Sequence, residues 1–332
     1  MIRFGLVGLG RIGAIHARNI DAHPRAVLAA VSDPDAARAA RVAEKTGCRA
    51  SGLEELLSDD TIDAVVIASP TVHHAGQAIA AARAGKAVLC EKPLSLDLDS
   101  AKACAAAVAA CGTPFMIALN KRFDPTVVDL AARLRRGAIG RVELISLIGK
   151  DPEPPPDGFI PTSGGLFRDM MIHDIDLALF LAGEPPVEIW ATGAVHVSDA
   201  FTRANDFDTA AVIMKTRSGV IMTQTLSRRT TFGFDQRIEV HGSEGLLRTG
   251  NHPVGHVEQW GRAGIVGPTF EHSFLERYAA SYAAELDAFV TCLEEKRPPM
   301  LNAAHAVAIQ AIADAITDAA RSGAPGRVRF ET

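Results

Sequence analysis

The strongest constraint on this chain lies at its N-terminal end. Ile2 to Val7 (IRFGLV) is a mostly apolar run of strand length, and it leads directly into Gly8-Leu9-Gly10-Arg11-Ile12-Gly13 and then a helical stretch through Ile20. In a turn of this kind Gly8 permits the tight bend. Gly10 lets the backbone approach a pyrophosphate, and Gly13 lets helix and strand pack closely. The helix N-terminus, Arg11 and Ile12 included, then faces the phosphates. A GxGxxG alone is weak. Here a second strand-like run, Ala26 to Ser32, follows and ends in Asp33, 20 residues beyond Gly13. An acid at that distance suits the ribose 2′-hydroxyl of NAD and repels the 2′-phosphate of NADP, although Arg38 stands close in sequence.

Strand and helix patterns continue to alternate about every 25 residues as far as Leu119. Ile62 to Ala68, Ala87 to Cys90 and Phe115 to Leu119 are apolar runs suited to strands covered on both faces. Asp35 to Thr46 and Leu98 to Cys111 are alanine-rich helices. This predicts a doubly wound parallel sheet over 1–120. Beyond Asn120 the alternation stops. One helix runs to Arg136, a strand covers Val142 to Ile148, and a proline-rich loop follows from Asp151. Strand-like stretches then come at Val187 to Val197, Thr209 to Thr216, Val220 to Leu226 and Gln236 to Val240, joined in part by the turn signals Arg217-Ser218-Gly219 and Gly242 to Gly245. Two helices, Leu275 to Glu295 and Ala303 to Ser322, end the chain. This predicts an α+β domain over 121–332, with a mostly antiparallel open sheet.

Composition narrows the class. A hydrophobic share of 48 %, a charged share of 22 % and a net charge of −5 describe a globular protein with no basic run, which disfavours nucleic acid as a partner. No apolar run reaches the roughly 20 residues needed to cross a bilayer, and the first strand starts at Ile2, so a cytoplasmic protein without membrane contact is expected. The five cysteines form no CxxC pair and read as reduced thiols. The histidines lack ligand spacing such as HExxH, so no metal is expected.

Candidate chemistry gathers at strand ends and on one helix. Ser69, Thr71 and His74 follow the strand at Ile62 to Ala68, where ligands of parallel sheets bind; the alternative is helix capping by Thr71 and a solvated pair, His73-His74. Glu91-Lys92-Pro93 closes the next strand. Lys92 there could reach a nicotinamide and a substrate hydroxyl, or form a surface salt bridge; Pro93 restricts its backbone. Gly164 to Ala182 predicts a largely buried helix interrupted by Asp169, His173, Asp174 and Asp176. Asp169 and His173 are four apart, one turn on a helix, and can act as a proton-transferring pair or as a core histidine with a satisfied hydrogen bond.

Taken together, GLGRIG (Gly8 to Gly13), CEKPL (Cys90 to Leu94), NKRFDP (Asn120 to Pro125), SGGLFRDMMIHDIDLALFLAG (Ser163 to Gly183) and FDQRIEVHGSEG (Phe234 to Gly245) resemble the Gfo/Idh/MocA family of NAD(P)-dependent sugar and polyol oxidoreductases, most of all its bacterial inositol 2-dehydrogenases. The resemblance implies a Rossmann domain, an α/β domain whose open sheet forms oligomer contacts, and a homotetramer. It implies Lys92, Asp169 and His173 as catalytic residues, with His173 the base that frees a ring hydroxyl of its proton. It implies Asn120, Lys121, Asp151, Arg168, Phe234 and Tyr282 as the residues toward substrate.

Two departures stand out. Lys121 replaces the arginine of many relatives, and Phe232-Gly233-Phe234 replaces their Tyr-Gly-Tyr, which removes up to two hydroxyls. The expected substrate is therefore myo- or scyllo-inositol or a related cyclic polyol. The competing readings are a dehydrogenase of the same fold acting on an aldose or L-sugar, and a non-catalytic NAD(P)-sensing regulator.

Overall fold

The computed structural model describes residues 1–328; residues 329–332, which the sequence reading assigns to the second domain, lie outside them. Contacts divide the chain into two units, 1–123 with 281–310, and 124–280 with the residues from 311 onward. The segment 281–310, which sequence order groups with the second half, thus joins the first unit.

The first unit holds strands β1 (Ile2–Val7), β2 (Ala26–Ser32), β3 (Arg49–Ala50), β4 (Ala64–Ile67), β5 (Ala87–Glu91) and β6 (Phe115–Ala118), all parallel, in the order β3-β2-β1-β4-β5-β6. Both faces are covered, so β4 and β5 are buried at every residue and show no alternation. Helices α1 (Arg11–Ala22), α2 (Ala36–Thr46), α3 (Leu53–Ser58), α4 (His74–Arg83) and α5 (Leu98–Cys111) connect them. Local chemistry sets their ends. Asp35 and Asp97 accept backbone N–H bonds from Arg38 and Ser100 at the starts of α2 and α5, while Gly47 and Gly112 close them in left-handed conformation. The late segment completes the core: the Phe289 ring centroid lies 6.3 Å from that of Phe4, and Ile117 N–H donates to the Leu301 carbonyl at 2.8 Å.

Strand order reverses between β1 and β4. The carboxyl ends of these two strands form the place where an open parallel sheet receives its ligand.

The second unit carries β7 (Val142–Lys150), β8 (Pro186–Ala194), β9 (Thr209–Thr216), β10 (Ile221–Ser227), β11 (Asp235–Gly242) and β12 (Gly245–Thr249), in the order β12-β11-β7-β10-β9-β8. All pairings are antiparallel except β7 with β10. Burial alternates along β9, the mark of a sheet covered on one face. Its helices include α6 (Pro125–Arg135), α7 (Leu166–Asp169) and α8 (Ile172–Ala182). Helix α8 lies on the covered face. Gln224 of β10 donates its side-chain amide to the Asp174 carbonyl at 2.9 Å. Gly149 of β7 makes room for the Asp174 carboxylate, because a Cβ there would stand 2.5 Å from Oδ2.

The single helix expected over Gly164 to Ala182 is two. Gly164 (φ 87°) and Gly165 (φ 93°) turn the chain, and the Leu166 N–H at the start of α7 donates to Asp206 Oδ1 at 3.1 Å. The Leu166 carbonyl then receives both Met170 N–H at 3.0 Å and Met171 N–H at 3.1 Å, a widened turn, before α8 begins at Ile172. The break falls between Asp169 and His173.

Candidate active site

Strand β1 ends at Val7 and the glycine turn begins. Gly8 has φ 86°, and a Cβ on it would lie 2.5 Å from the Ser69 backbone nitrogen. A Cβ on Gly13 would lie 2.0 Å from the Gly8 carbonyl oxygen. Gly10 differs: nothing lies within 4 Å of its Cβ position, and it starts α1 with no side-chain cap. Its neighbour Arg11 is exposed and Ile12 half-buried. The start of α1 is therefore uncapped and leaves the Cβ side of Gly10 open, as close approach of a phosphate requires. Asp33, at the end of β2, accepts the Leu9 N–H on Oδ2 at 2.7 Å and the Asp35 N–H on Oδ1 at 2.8 Å, and Arg38 Nη1 approaches Oδ1 at 3.3 Å. The carboxylate is fixed beside the turn. These features fit a dinucleotide.

At the end of β4, the Ser69 hydroxyl donates to Gln77 Oε1 at 2.6 Å. Thr71 is half-buried, and the turn that starts there has no side-chain cap. The histidine pair, for which solvation is the alternative reading, is split. His73 is exposed, whereas His74 is buried with Nδ1 2.8 Å from the Pro93 carbonyl and Nε2 2.8 Å from the Ser69 carbonyl. Burial lowers the pKa of His74 below 6.5, against the pull of both carbonyls. Its ring ties the loop after β4 to the loop after β5. That second loop carries half-buried Lys92, whose peptide bond to Pro93 is cis.

Behind Lys92, Glu91 accepts from His16 Nε2 at 2.7 Å. Tyr282 packs edge-on against His16, with ring centroids 6.0 Å apart. Burial pushes the Tyr282 phenol well above its usual pKa, and Glu91 and Glu285 add to the effect. Asn120 and Lys121 are also buried in this unit, and the Asn120 carbonyl accepts from the Ser281 hydroxyl.

In the second unit, half-buried Asp169 and His173 flank the break between α7 and α8. Asp169 Oδ2 accepts from Arg228 Nη2 at 2.7 Å, and Asp151 Oδ2 accepts from Arg228 Nη1 at 3.0 Å. Arg168 turns elsewhere, its Nε 2.5 Å from Asp314 Oδ1. Phe234 is buried edge-on to Tyr278 at 5.8 Å, while Phe232 is 48 % exposed. The structure brings Asp151 and Asp169 together through one arginine.

Two family models cover most of the chain. Residues 2–119 match an oxidoreductase family with an NAD-binding Rossmann fold, and residues 127–248 match the GFO/IDH/MocA C-terminal domain. The chain belongs to the Gfo/Idh/MocA oxidoreductase family. It is 40 % identical over 314 residues to an inositol 2-dehydrogenase of Rhizobium meliloti, with 95 % of each chain covered. A solved myo-inositol dehydrogenase of Corynebacterium glutamicum superposes with a TM-score of 0.95 at 35 % identity, covering 100 % of each chain. A scyllo-inositol dehydrogenase of Lactobacillus casei, solved with NAD(H) and scyllo-inositol bound, superposes with a TM-score of 0.91 at 28 % identity, covering 98 % of this chain and 99 % of that one.

This NAD-dependent oxidoreductase holds charged residues that its sequence did not single out. Arg228 follows β10 in the pair Arg228-Arg229, which reads as surface charge. His16 lies on α1 and Glu285 on the late segment 281–310, both fully buried. The one available signal was positional: Arg228 sits just past a strand end, as ligand-side residues of a sheet do. No helix of the described residues is long and apolar enough to cross a membrane.

Proposed function

We propose that this protein oxidises one hydroxyl of an inositol ring, or of a closely similar cyclic polyol, to a ketone with NAD. The end-to-end identity to a named inositol 2-dehydrogenase is the observation that carries this reading. When bound, NAD supplies the hydride acceptor. The Gly8 to Gly13 turn with Arg11 and Ile12 holds its phosphates, Asp33 its ribose, and Ser69, Thr71, His74, Glu91 and Lys92 shape its nicotinamide end.

His173 takes the hydroxyl proton, and Asp169 stabilises the imidazolium that results. Lys92 donates hydrogen bonds toward the reacting oxygen as negative charge develops on it. Asn120, Lys121, Asp151, Arg168, Phe234 and Tyr282 shape the substrate end. Loss of neutral His173 at acidic pH slows oxidation. The test is His173→Ala, which should abolish turnover while NAD still binds; turnover within a few-fold of wild type would remove His173 as base. A panel of myo-inositol, scyllo-inositol and aldoses, followed by absorbance of the reduced cofactor, tests the substrate class, and an aldose preferred over both inositols would overturn it.

We also propose a cytoplasmic homotetramer. Supporting it, Trp190, Ile213 and Ile221 are exposed on the uncovered face of the second sheet, and all five cysteines are unpaired. Light scattering should give about four times the 35.1 kDa chain mass; a monomer would contradict it.

A further inference from the structure

Strands β7 and β10 are parallel, with Lys150 opposite Ser227. The residues just past them, Asp151 and Arg228, therefore emerge side by side at the same sheet end. One backbone bond holds this register, Asp151 N–H donating to the Ser227 carbonyl at 3.0 Å, and a second, Arg228 N–H to the Asp208 carbonyl at 2.8 Å, ties Arg228 to the residue before β9. The side chain of Arg228 is only 6 % exposed, and each of its two terminal nitrogens meets a different carboxylate. One carboxylate belongs to the loop after β7, the other to the C-terminal end of α7. A planar fork of donors suits this double contact, and a lysine, with all its donors on one nitrogen, cannot reproduce its two-point geometry.

We infer that Arg228 is a positioning residue for the reaction: its fork holds Asp169 ionised and aimed, and fixes Asp151 in the same frame. The inference rests on the proposed role of Asp169. Burial acts against the charge on Arg228, yet Asp169 and Asp151 outweigh it and raise its pKa. Other titratable groups on the elements that meet here are His173, Asp174 and Asp176 on α8, Arg168 on α7, Glu143 and Lys150 on β7, the Lys150 amine lying 4.0 Å from Asp235 Oδ2, and Asp208 before β9, whose carboxylate accepts the amides of His196 and Val197. Removing the Arg228 cation leaves two neighbouring carboxylates without their shared counter-ion. Every nearby group then binds its proton more tightly, Asp169 and His173 alike.

The experiment measures kcat, kcat/KM against pH and NAD affinity for Arg228→Gln, Arg228→Lys and Asp169→Asn. In Arg228→Gln the acid limb of kcat/KM should move up by about one to three pH units, and kcat should fall on the order of 100-fold, with NAD affinity unchanged. Arg228→Lys keeps the charge and loses the fork, so the acid limb stays and kcat falls. A purely structural role would lower the melting temperature and leave the limb in place. If Arg228→Gln keeps the wild-type limb and rate while Asp169→Asn is inactive, the inference fails and the role of Asp169 stands. If Asp169→Asn turns over normally, both fall. Should Arg228→Gln not fold, an Arg228→Lys enzyme with wild-type kcat overturns the inference.

Discussion

His16 Nε2 donates to Glu91 Oε1 at 2.7 Å, and the imidazole is fully enclosed. The bond joins α1, the helix that follows the glycine turn, to the last residue of β5, next to Lys92. Beside it lies Glu285, a third ionisable group with no exposed surface and, among the described residues, no hydrogen-bond partner for either oxygen. Burial, reinforced by the charge of Glu91, holds Glu285 well above its ordinary 4.5. The folded chain thus keeps a proton there that the unfolded chain releases once pH exceeds 4.5. Stability from this group is lost as pH rises above that point.

Glu285→Gln removes the cost of that retained proton without changing the shape of the side chain. Its melting temperature should exceed wild type at pH 8 by about 2–4 °C and match it near pH 4.5. Calorimetric scans across this range check the sign. A variant less stable at pH 8 than at pH 4.5, relative to wild type, would show that Glu285 is ionised in the fold.

The glycines of the nucleotide turn should separate by function. Gly10→Ala meets no atom and has an ordinary φ of −68°, so it should melt like wild type yet bind NAD at least about 10-fold more weakly. Gly8→Ala meets the Ser69 backbone and must hold φ at 86°, so it should lose about 1–3 kcal/mol of stability or more. Calorimetry of NAD binding together with thermal melts distinguishes the two. Unchanged NAD affinity in Gly10→Ala would mean that phosphate does not approach there.

Asp124 has two tasks in the second unit. It caps α6 by accepting the Thr126 N–H at 2.9 Å, and it pairs with Arg277 Nη1 at 2.5 Å, both side chains being under a tenth exposed. Burial works against the Arg277 charge, and Asp124 is the main group that offsets it. Asp124→Ala strands that cation and should cost about 3–5 kcal/mol in urea unfolding. Asp124→Asn keeps the cap and should cost less. Equal losses for the two would place the whole effect in the ion pair and none in the cap.

How legible the chain was depended on the range of the interaction. The turn of Gly8 to Gly13, the strand runs and the alanine-rich helices are local patterns, and each element they predicted in the parallel sheet is present. The helix over Asp169 and His173 reads as continuous because its apolar periodicity hardly changes at Met170-Met171. The break comes from the shared Leu166 carbonyl, a backbone detail without a residue signature. His74 reads as a cofactor-edge residue or as one of a solvated pair, and only the return of the Pro93 carbonyl to its ring shows that it is a tie.

Neighbouring residues dictate the glycine turn, the acid at Asp33 and the alternation of β1 to β6 with helices, through backbone freedom and apolar period. Tertiary structure alone decided that 281–310 completes the first core, that Glu285 lies buried beside Glu91, and that Arg228 is spent on Asp151 and Asp169. Each of those depends on residues tens to hundreds of positions apart. Charge looks the same in a sequence whether water or two carboxylates surround it, and only strand register and burial settle which.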